Sequence, residues 1–159
     1  MHVPKLKTTD ELAAICDTMQ AEGRRLVMTN GCFDLLHVGH VRYLQLARDL
    51  GDALLVALNS DSSVRTLKGP TRPITPEHDR AEVLASLRCV DFVTIFPSLR
   101  VTEVVNVIRP HIYVKGGDYT VESLDTGERA ALEAAGTEIR ILPLTPGKST
   151  TGIVKRFNP

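Results

Sequence analysis

TNGCFDLLHVGHVRYL, residues 29–44, poses the question that the rest of the chain must answer. An apolar run (RLVMTN, 25–30) hands over to a segment with helical spacing, and two histidines flank a glycine at that corner. His37 and His40 are three residues apart, so on a starting helix they share a face. The N-terminus of such a helix presents unpaired N–H groups and positive potential, which attract phosphate. Gly39 has no Cβ, so a phosphate or a base can approach the backbone there. The imidazoles can then donate hydrogen bonds to phosphoryl oxygens as negative charge builds up in a transition state. Either histidine alone reads more simply as a packed or solvated side chain. The pair around Gly39, behind GCFD and a buried strand, favours chemistry.

Four further apolar runs follow: ALLVALN (53–59), DFVTIF (91–96), HIYVKG (111–116) and EIRILP (138–143). The middle ones are almost continuously hydrophobic, as expected of parallel strands buried on both faces. The last alternates, with Ile139 and Ile141 on one side, and suits an edge strand. Helical patterns lie between the runs. Tyr43, Ala47 and Leu50 make the stripe of a helix over 40–50 that stops at Gly51. Over 76–89, Thr75 is the expected cap and Pro76 the first helical residue. Helices are also expected over 9–22, over 99–109 before Pro110, over about 121–135, and from Ser149. Strands alternating with helices specify an α/β fold with a parallel sheet and right-handed crossovers. Ligands bind such sheets at the carboxyl ends of the strands, near the topological switch point. That rule gathers His37, Asn59 and Asp61, residues 115–118 and residues 149–151 around one crevice.

The bulk numbers narrow the class. The 159 residues suit one domain, a core over 25–159 with a helical extension over 1–24. Lys plus Arg and Asp plus Glu are 19 each, so the chain is no bulk polyanion binder, nucleic acid included. Any anion site must be built locally. The N-terminus has no signal-peptide core and no run is long enough to span a membrane, which places the protein in the cytoplasm. Three cysteines without a CxxC spacing argue against a disulfide framework or a zinc site.

Three more clusters carry chemistry. LKGPTRPITPEHDR (67–80) sets Lys68, Arg72 and Arg80 on a proline-stiffened loop that can clamp a polyphosphate, or is simply solvated. VKGGDY (114–119) allows close backbone approach at Gly117 and an acceptor for a ribose hydroxyl at Asp118; Gly-Gly-Asp is equally an ordinary turn. GKSTTGIVKRF (147–157) crowds Ser149, Thr150 and Thr151 at a helix start, where capping explains one of the three hydroxyls. Asp34 and Asp61 suit a magnesium ion, a substrate hydroxyl or a turn. Cys32 reads as a small packed side chain, since no base is placed by sequence to activate it.

Taken in order, GCFDLLHVGH, NSDSSVRTLKG with RPI, VKGGDY and STTGIVKR closely resemble the HxGH nucleotidyltransferase superfamily, and within it the heptose 1-phosphate adenylyltransferase branch. The resemblance runs from about residue 6 to 157. It implies a Rossmann-like single domain, with a five-stranded parallel sheet of order 3-2-1-4-5 and helices on both faces. It implies ATP, magnesium, a sugar 1-phosphate and a homodimer. In that family His37 and His40 bind the nucleotide phosphates and stabilise the transition state, with Lys68 adding charge. Gly31, Cys32, Phe33 and Gly39 lie along those phosphates; Lys115, Gly117 and Asp118 lie near the nucleoside. Ser149, Thr150 and Thr151 lie near the β- and γ-phosphates. Asp34, Asn59, Asp61, Arg72 and Arg80 are then assigned to the substrate-phosphate side, and no residue to a resident metal. Related cytidylyltransferases often carry Thr where this chain has Cys32, which favours the heptose branch. That activity often forms the C-terminal half of a bifunctional heptose kinase/adenylyltransferase. The residues before 25 are too few for a kinase, so the activity is expected to stand alone. The rival readings are a CTP-dependent enzyme acting on glycerol 3-phosphate or a phosphonate, and a catalytically silent nucleotide-binding module.

Overall fold

The computed structural model describes residues 3–117 and 119–157. Five strands, β1 (Leu26–Gly31), β2 (Ala53–Asn59), β3 (Phe92–Phe96), β4 (Ile112–Gly116) and β5 (Glu138–Leu142), form one parallel sheet. Their order across it is β3-β2-β1-β4-β5, as the resemblance implies. The apolar runs are unbroken because both faces are covered. On one face Val27, Leu54 and Val56 pack with Tyr43, Leu44 and Ala47 of α2 (Val38–Arg48) and with Ala81 and Leu84 of α4 (Glu77–Ala85). On the other, Met28, Leu55 and Ala57 meet α1 (Thr9–Ala21), α5 (Thr102–Ile108) and α6 (Thr126–Ala134).

The two sheet edges are managed differently. β5 lies at one edge and is only partly covered along its length. The β3 edge is blunted by the N-terminal segment. There the Lys7 N–H donates to the Val93 carbonyl at 2.9 Å, and the Val93 N–H to the Lys5 carbonyl at 2.8 Å.

α1 buries Leu12, Cys16 and Met19 in the same cluster as Met28 and Leu55. It is started by a reciprocal cap in which the Glu11 N–H donates to Thr8 Oγ1 and the Thr8 N–H to Glu11 Oε2. A helix that was not anticipated, α3 (Asp61–Lys68), follows β2; only Ser63 and Val64 of it are buried, too few to set up a hydrophobic period. α4 begins one residue later than expected. Pro76 is its N-cap, Thr75 makes no side-chain cap, and the helix ends at Ala85. No helix among the described residues is long and apolar enough to cross a membrane.

Because Leu12 is fully buried, Leu12→Ala should destabilise the protein by roughly 2–5 kcal/mol, the usual cost of emptying a core leucine site. Urea unfolding measures it; a near-zero change would mean that α1 is a dispensable extension.

Candidate active site

The corner after β1 is built by the two histidines themselves. His37 is the N-cap of α2 in extended conformation, and its Nδ1 accepts the Gly39 N–H at 3.1 Å. In return, the His37 N–H donates to His40 Nδ1 at 3.4 Å. This is the reciprocal pattern of a capping box, with imidazoles in place of the usual hydroxyl and carboxylate. It sets the helix start at Val38, two residues before the sequence pattern placed it. The two rings stack with centroids 3.9 Å apart and planes inclined by 28°.

Protonation follows from that geometry. An Nδ1 that accepts a hydrogen bond carries no proton, so each neutral ring has its proton on Nε2. Burial lowers both pKa values. For His40 it does so to about 4, with the neighbouring His37 adding to the effect. For His37 the charge of Lys148 reinforces burial. At neutral pH the corner therefore presents two uncharged Nε2–H donors. Gly39 also serves the corner itself. A Cβ there would lie 2.9 Å from His37 Cε1 and 3.1 Å from Lys148 Cβ, so the missing side chain makes room for the His37 ring.

Before that corner, the GCFD turn folds tightly. Phe33 is buried with φ 43°, left-handed backbone that costs a non-glycine residue about 1–2 kcal/mol. Its ring fills the space beside Gly31, where a Cβ would meet Phe33 Cε2 at 2.9 Å.

A cavity of about 690 Å³ opens at the carboxyl ends of β1, β2 and β4, beside the β1/β4 switch in strand order. Gly31, Cys32, Phe33, His40, Lys115, Thr150 and Thr151 line it, and Lys68, Arg72 and Arg100 add cations. His37 and Ser149 sit outside it, in smaller clefts alongside Lys148. Lys68 pairs with no carboxylate among the described residues and stays exposed. The Ser149 hydroxyl accepts the Gly152 N–H at 3.0 Å as a cap of α7 (Thr150–Phe157), while the Thr150 hydroxyl donates to the Leu35 carbonyl at 3.0 Å. Gly117 has φ 128°, a conformation that requires glycine. Asp118 lies outside the described residues.

Several residues assigned to the substrate phosphate turn out to brace the site. Arg80 is only 2% exposed, and its guanidinium donates to the carbonyls of Thr75, Cys32 and Asn59 and to Asp61 Oδ1, at 2.6–2.9 Å. Four of its five N–H groups are taken and the side chain is sealed from the cavity, which corrects that assignment. Asp61 is turned to Arg80 by the same pair. Asp34 accepts from Arg72 Nε at 2.5 Å and from the N–H groups of Ile74 and Thr75. Burial opposes ionisation of Asp34, but those three bonds outweigh it and hold the carboxyl below its usual range. Asp34 therefore anchors the basic loop and is no free phosphate or metal ligand. The Asn59 side chain is buried and donates to Ser63 Oγ at 2.8 Å. Arg72 remains at the cavity, held by Asp34.

Sequence reasoning missed Asn30, Tyr119 and Glu128, all of which line the cavity. Glu128 lies in the helical pattern after VKGGDY, and nothing in its spacing marks it. Its signal is a carboxylate that falls on the buried face of α6. Among the described residues, no group of three or more His, Cys, Asp or Glu is gathered for a metal ion. The Cys32 thiol is pushed up by burial, only partly offset by Lys68 and Arg80, so it is a poor nucleophile.

The locked tautomers make a titration prediction. Folded His40 should titrate near pH 4, and its ring shifts should report Nε2–H above that, whereas the unfolded chain titrates near 6.5. The folded pKa is depressed, so stability is full above pH 6.5 and is lost as pH falls from there through about 4. Histidine NMR across pH 3–8 checks this; a His40 midpoint near 6.5 would overturn the neutral pair.

The sequence matches the cytidylyltransferase-like family over residues 28–156. Bifunctional protein HldE of Pelobacter propionicus is 49% identical over 152 residues, covering 96% of this chain and 31% of that protein. Its counterpart in Geotalea uraniireducens is 50% identical over 153 residues, with the same 96% and 31% coverage. The chain thus spans 31% of the length of these curated relatives. Among solved structures, the lipopolysaccharide core biosynthesis protein from Thermoplasma volcanium aligns with a TM-score of 0.63 at 30% identity, over 77% of this chain and 98% of that one. Pantoate-beta-alanine ligase from Francisella tularensis shares the fold, with a TM-score of 0.58 at 13% identity over 92% of this chain and 68% of that one. The family match takes in the stacked histidines, the basic loop and the α7 hydroxyls together, and the chain belongs to the cytidylyltransferase-like family of nucleotidyltransferases.

Proposed function

We propose that the chain transfers AMP from ATP to D-glycero-D-manno-heptose 1-phosphate, giving ADP-heptose and pyrophosphate in the cytoplasm. The observation that carries the reading is the pair of neutral imidazoles, locked by their Nδ1 atoms, with both Nε2–H groups left to donate, His40 lining the cationic cavity and His37 the cleft beside it. Support for the acceptor comes from the motif series and from the relatives, which include a lipopolysaccharide core biosynthesis protein.

The sugar phosphate is its own nucleophile. Its second pKa is about 6, so at neutral pH it is mostly dianionic and needs no general base. One of its oxygens attacks the α-phosphorus of ATP; the bond from that phosphorus to the bridging oxygen breaks in line, and pyrophosphate leaves with the electron pair. Magnesium arrives as part of the ATP substrate, held mainly by phosphate oxygens. The chain's work is positioning and charge neutralisation. In this reading His37 and His40 donate to the α/β-phosphates as charge moves onto the leaving group. The backbone of residues 31–33 lies along the phosphates, and Ser149, Thr150 and Thr151 meet the β- and γ-phosphates. Lys115, Gly117 and Asp118 face the nucleoside. Lys68 and Arg72 neutralise the approaching sugar phosphate, and Asp34, Asn59, Asp61 and Arg80 hold the loops in place.

The first test is pyrophosphate release with magnesium, crossing ATP, CTP, GTP and UTP with both anomers of heptose 1-phosphate, glycerol 3-phosphate and a phosphonate. ATP with a heptose 1-phosphate should be the productive pair. Preference for CTP and another acceptor would keep the mechanism and reject the substrate; no release with any pair would leave a silent nucleotide-binding module. A second test separates chemistry from folding at His37. His37→Asn keeps a good N-cap acceptor, so its melting temperature should hold while turnover falls on the order of 10²-fold. His37→Ala should lose the same activity and about 1 kcal/mol of stability as well. Normal turnover by His37→Asn would rule out a catalytic donor there.

A further inference from the structure

Two carboxylates line the cavity, and only one is fully engaged. Asp34 accepts three hydrogen bonds. Glu128 is just as deeply placed, 3% exposed, but poorly served. Its Oε1 accepts the Val101 N–H at 3.4 Å, and its Oε2 lies 3.8 Å from Lys115 Nζ with no hydrogen bond among the described residues. Charge-assisted bonds between an ammonium and a carboxylate run about 2.7–2.9 Å, so both contacts are long and Oε2 keeps room to accept from a ligand.

Its neighbours complete a pattern. The Tyr113 phenol is raised well above its ordinary value by burial, with the charge of Glu128 adding to the effect. The Tyr113 hydroxyl donates to Asn30 Oδ1 at 2.6 Å, which leaves the Asn30 amide N–H groups to donate into the same cavity. The wall therefore combines an acceptor (Glu128 Oε2) with donors (Asn30 Nδ2 and Lys115 Nζ). A phosphate would be repelled by the carboxylate. Sugar hydroxyls, each of which donates and accepts, match the set. Glu128 and Asn30 do not border the clefts around His37 and Ser149, which hold the other face of the histidine corner.

We propose that Glu128, with Asn30, forms the subsite for the hydroxyls of the acceptor sugar, next to the Lys115 that faces the nucleoside; this rests on the sugar-phosphate reading above. The test is Glu128→Gln, which is isosteric, assayed with ATP and heptose 1-phosphate varied independently and with its melting temperature recorded. The KM for the acceptor should rise about 10-fold or more, as expected when a site built for a hydroxyl loses its partner, while the KM for ATP stays unchanged. A rise in the KM for ATP instead would assign the carboxylate to the ribose and overturn the proposal. A fall in kcat with both KM values unmoved would make Glu128 only a positioning residue for Lys115, and would also overturn it. If Glu128→Gln does not fold, Glu128→Asp retains the charge, withdraws the oxygens by one methylene, and reads the same split. The wild-type protein is assayed in parallel. Its failure to use ATP with heptose 1-phosphate would reject the underlying reading, whereas normal wild-type turnover with an unmoved acceptor KM in the variant would reject only the role of Glu128.

Discussion

Where β1 and β2 end, their carbonyl oxygens leave the ladder and need partners, yet the same place has to admit a highly charged anion. Arg80 meets both demands. One buried guanidinium takes up the carbonyls of Cys32 and Asn59, a third carbonyl at Thr75, and the carboxylate of Asp61. Two consequences follow for the cavity. The partial negative charges at the strand ends are turned onto an internal cation and away from a phosphate. The loops after β1 and β2 are also tied to the start of α4, which carries the basic loop with it. Breaking a buried pair of this kind typically costs 3–5 kcal/mol, because the partner is left charged and unserved. Asp34 does the complementary job from the other direction, tying Arg72 and the backbone of Ile74 and Thr75 to the turn after β1.

The histidine spacing has a local cause as well as a chemical one. N-cap and N3 positions are three residues apart, and that is the separation of His37 and His40. Each imidazole has two nitrogens with opposite roles when neutral, so Nδ1 can serve the helix start while Nε2 faces outward. A serine at the same cap would satisfy the backbone, but its one donor sits on the capping oxygen itself and reaches no further, whereas Nε2 lies across the ring. Gly39 belongs to the same device, because any side chain there would strike the His37 ring.

Much of the fold was legible in the sequence because strands buried on both faces write themselves as unbroken apolar runs, and the alternation with helices leaves few topologies. α3 was not legible, since DSSVRTLK has a single buried apolar residue and is ordered by a Ser60 cap and by its seat on the sheet end. The candidate site was legible where motifs are local: the histidine corner, the α7 hydroxyls and the strand ends. It was illegible where a role depends on which way a side chain turns. Arg72 and Arg80 sit eight residues apart in one basic stretch, yet one lines the cavity and the other is sealed behind it. Composition treats them alike; only the carbonyls that surround Arg80 distinguish them. Glu128 was hidden for the opposite reason, a charged residue on the inner face of a helix whose pattern otherwise reads as ordinary amphipathic surface.

Neutral histidines suit this site better than charged ones would. Two imidazolium rings stacked at 3.9 Å would repel each other strongly, and burial already disfavours charge on either. Under the proposed function, as uncharged donors they add little to ground-state attraction for the nucleotide, which is left to the lysines and arginines of the cavity. Their hydrogen bonds strengthen as negative charge accumulates on the phosphoryl oxygens, which is where differential stabilisation lowers a barrier. The pair also spends no reorganisation when charge develops, because both rings are held by the backbone they cap. The same two hydrogen bonds that start α2 thus fix the tautomer, the ring planes and the direction of the donors proposed for catalysis.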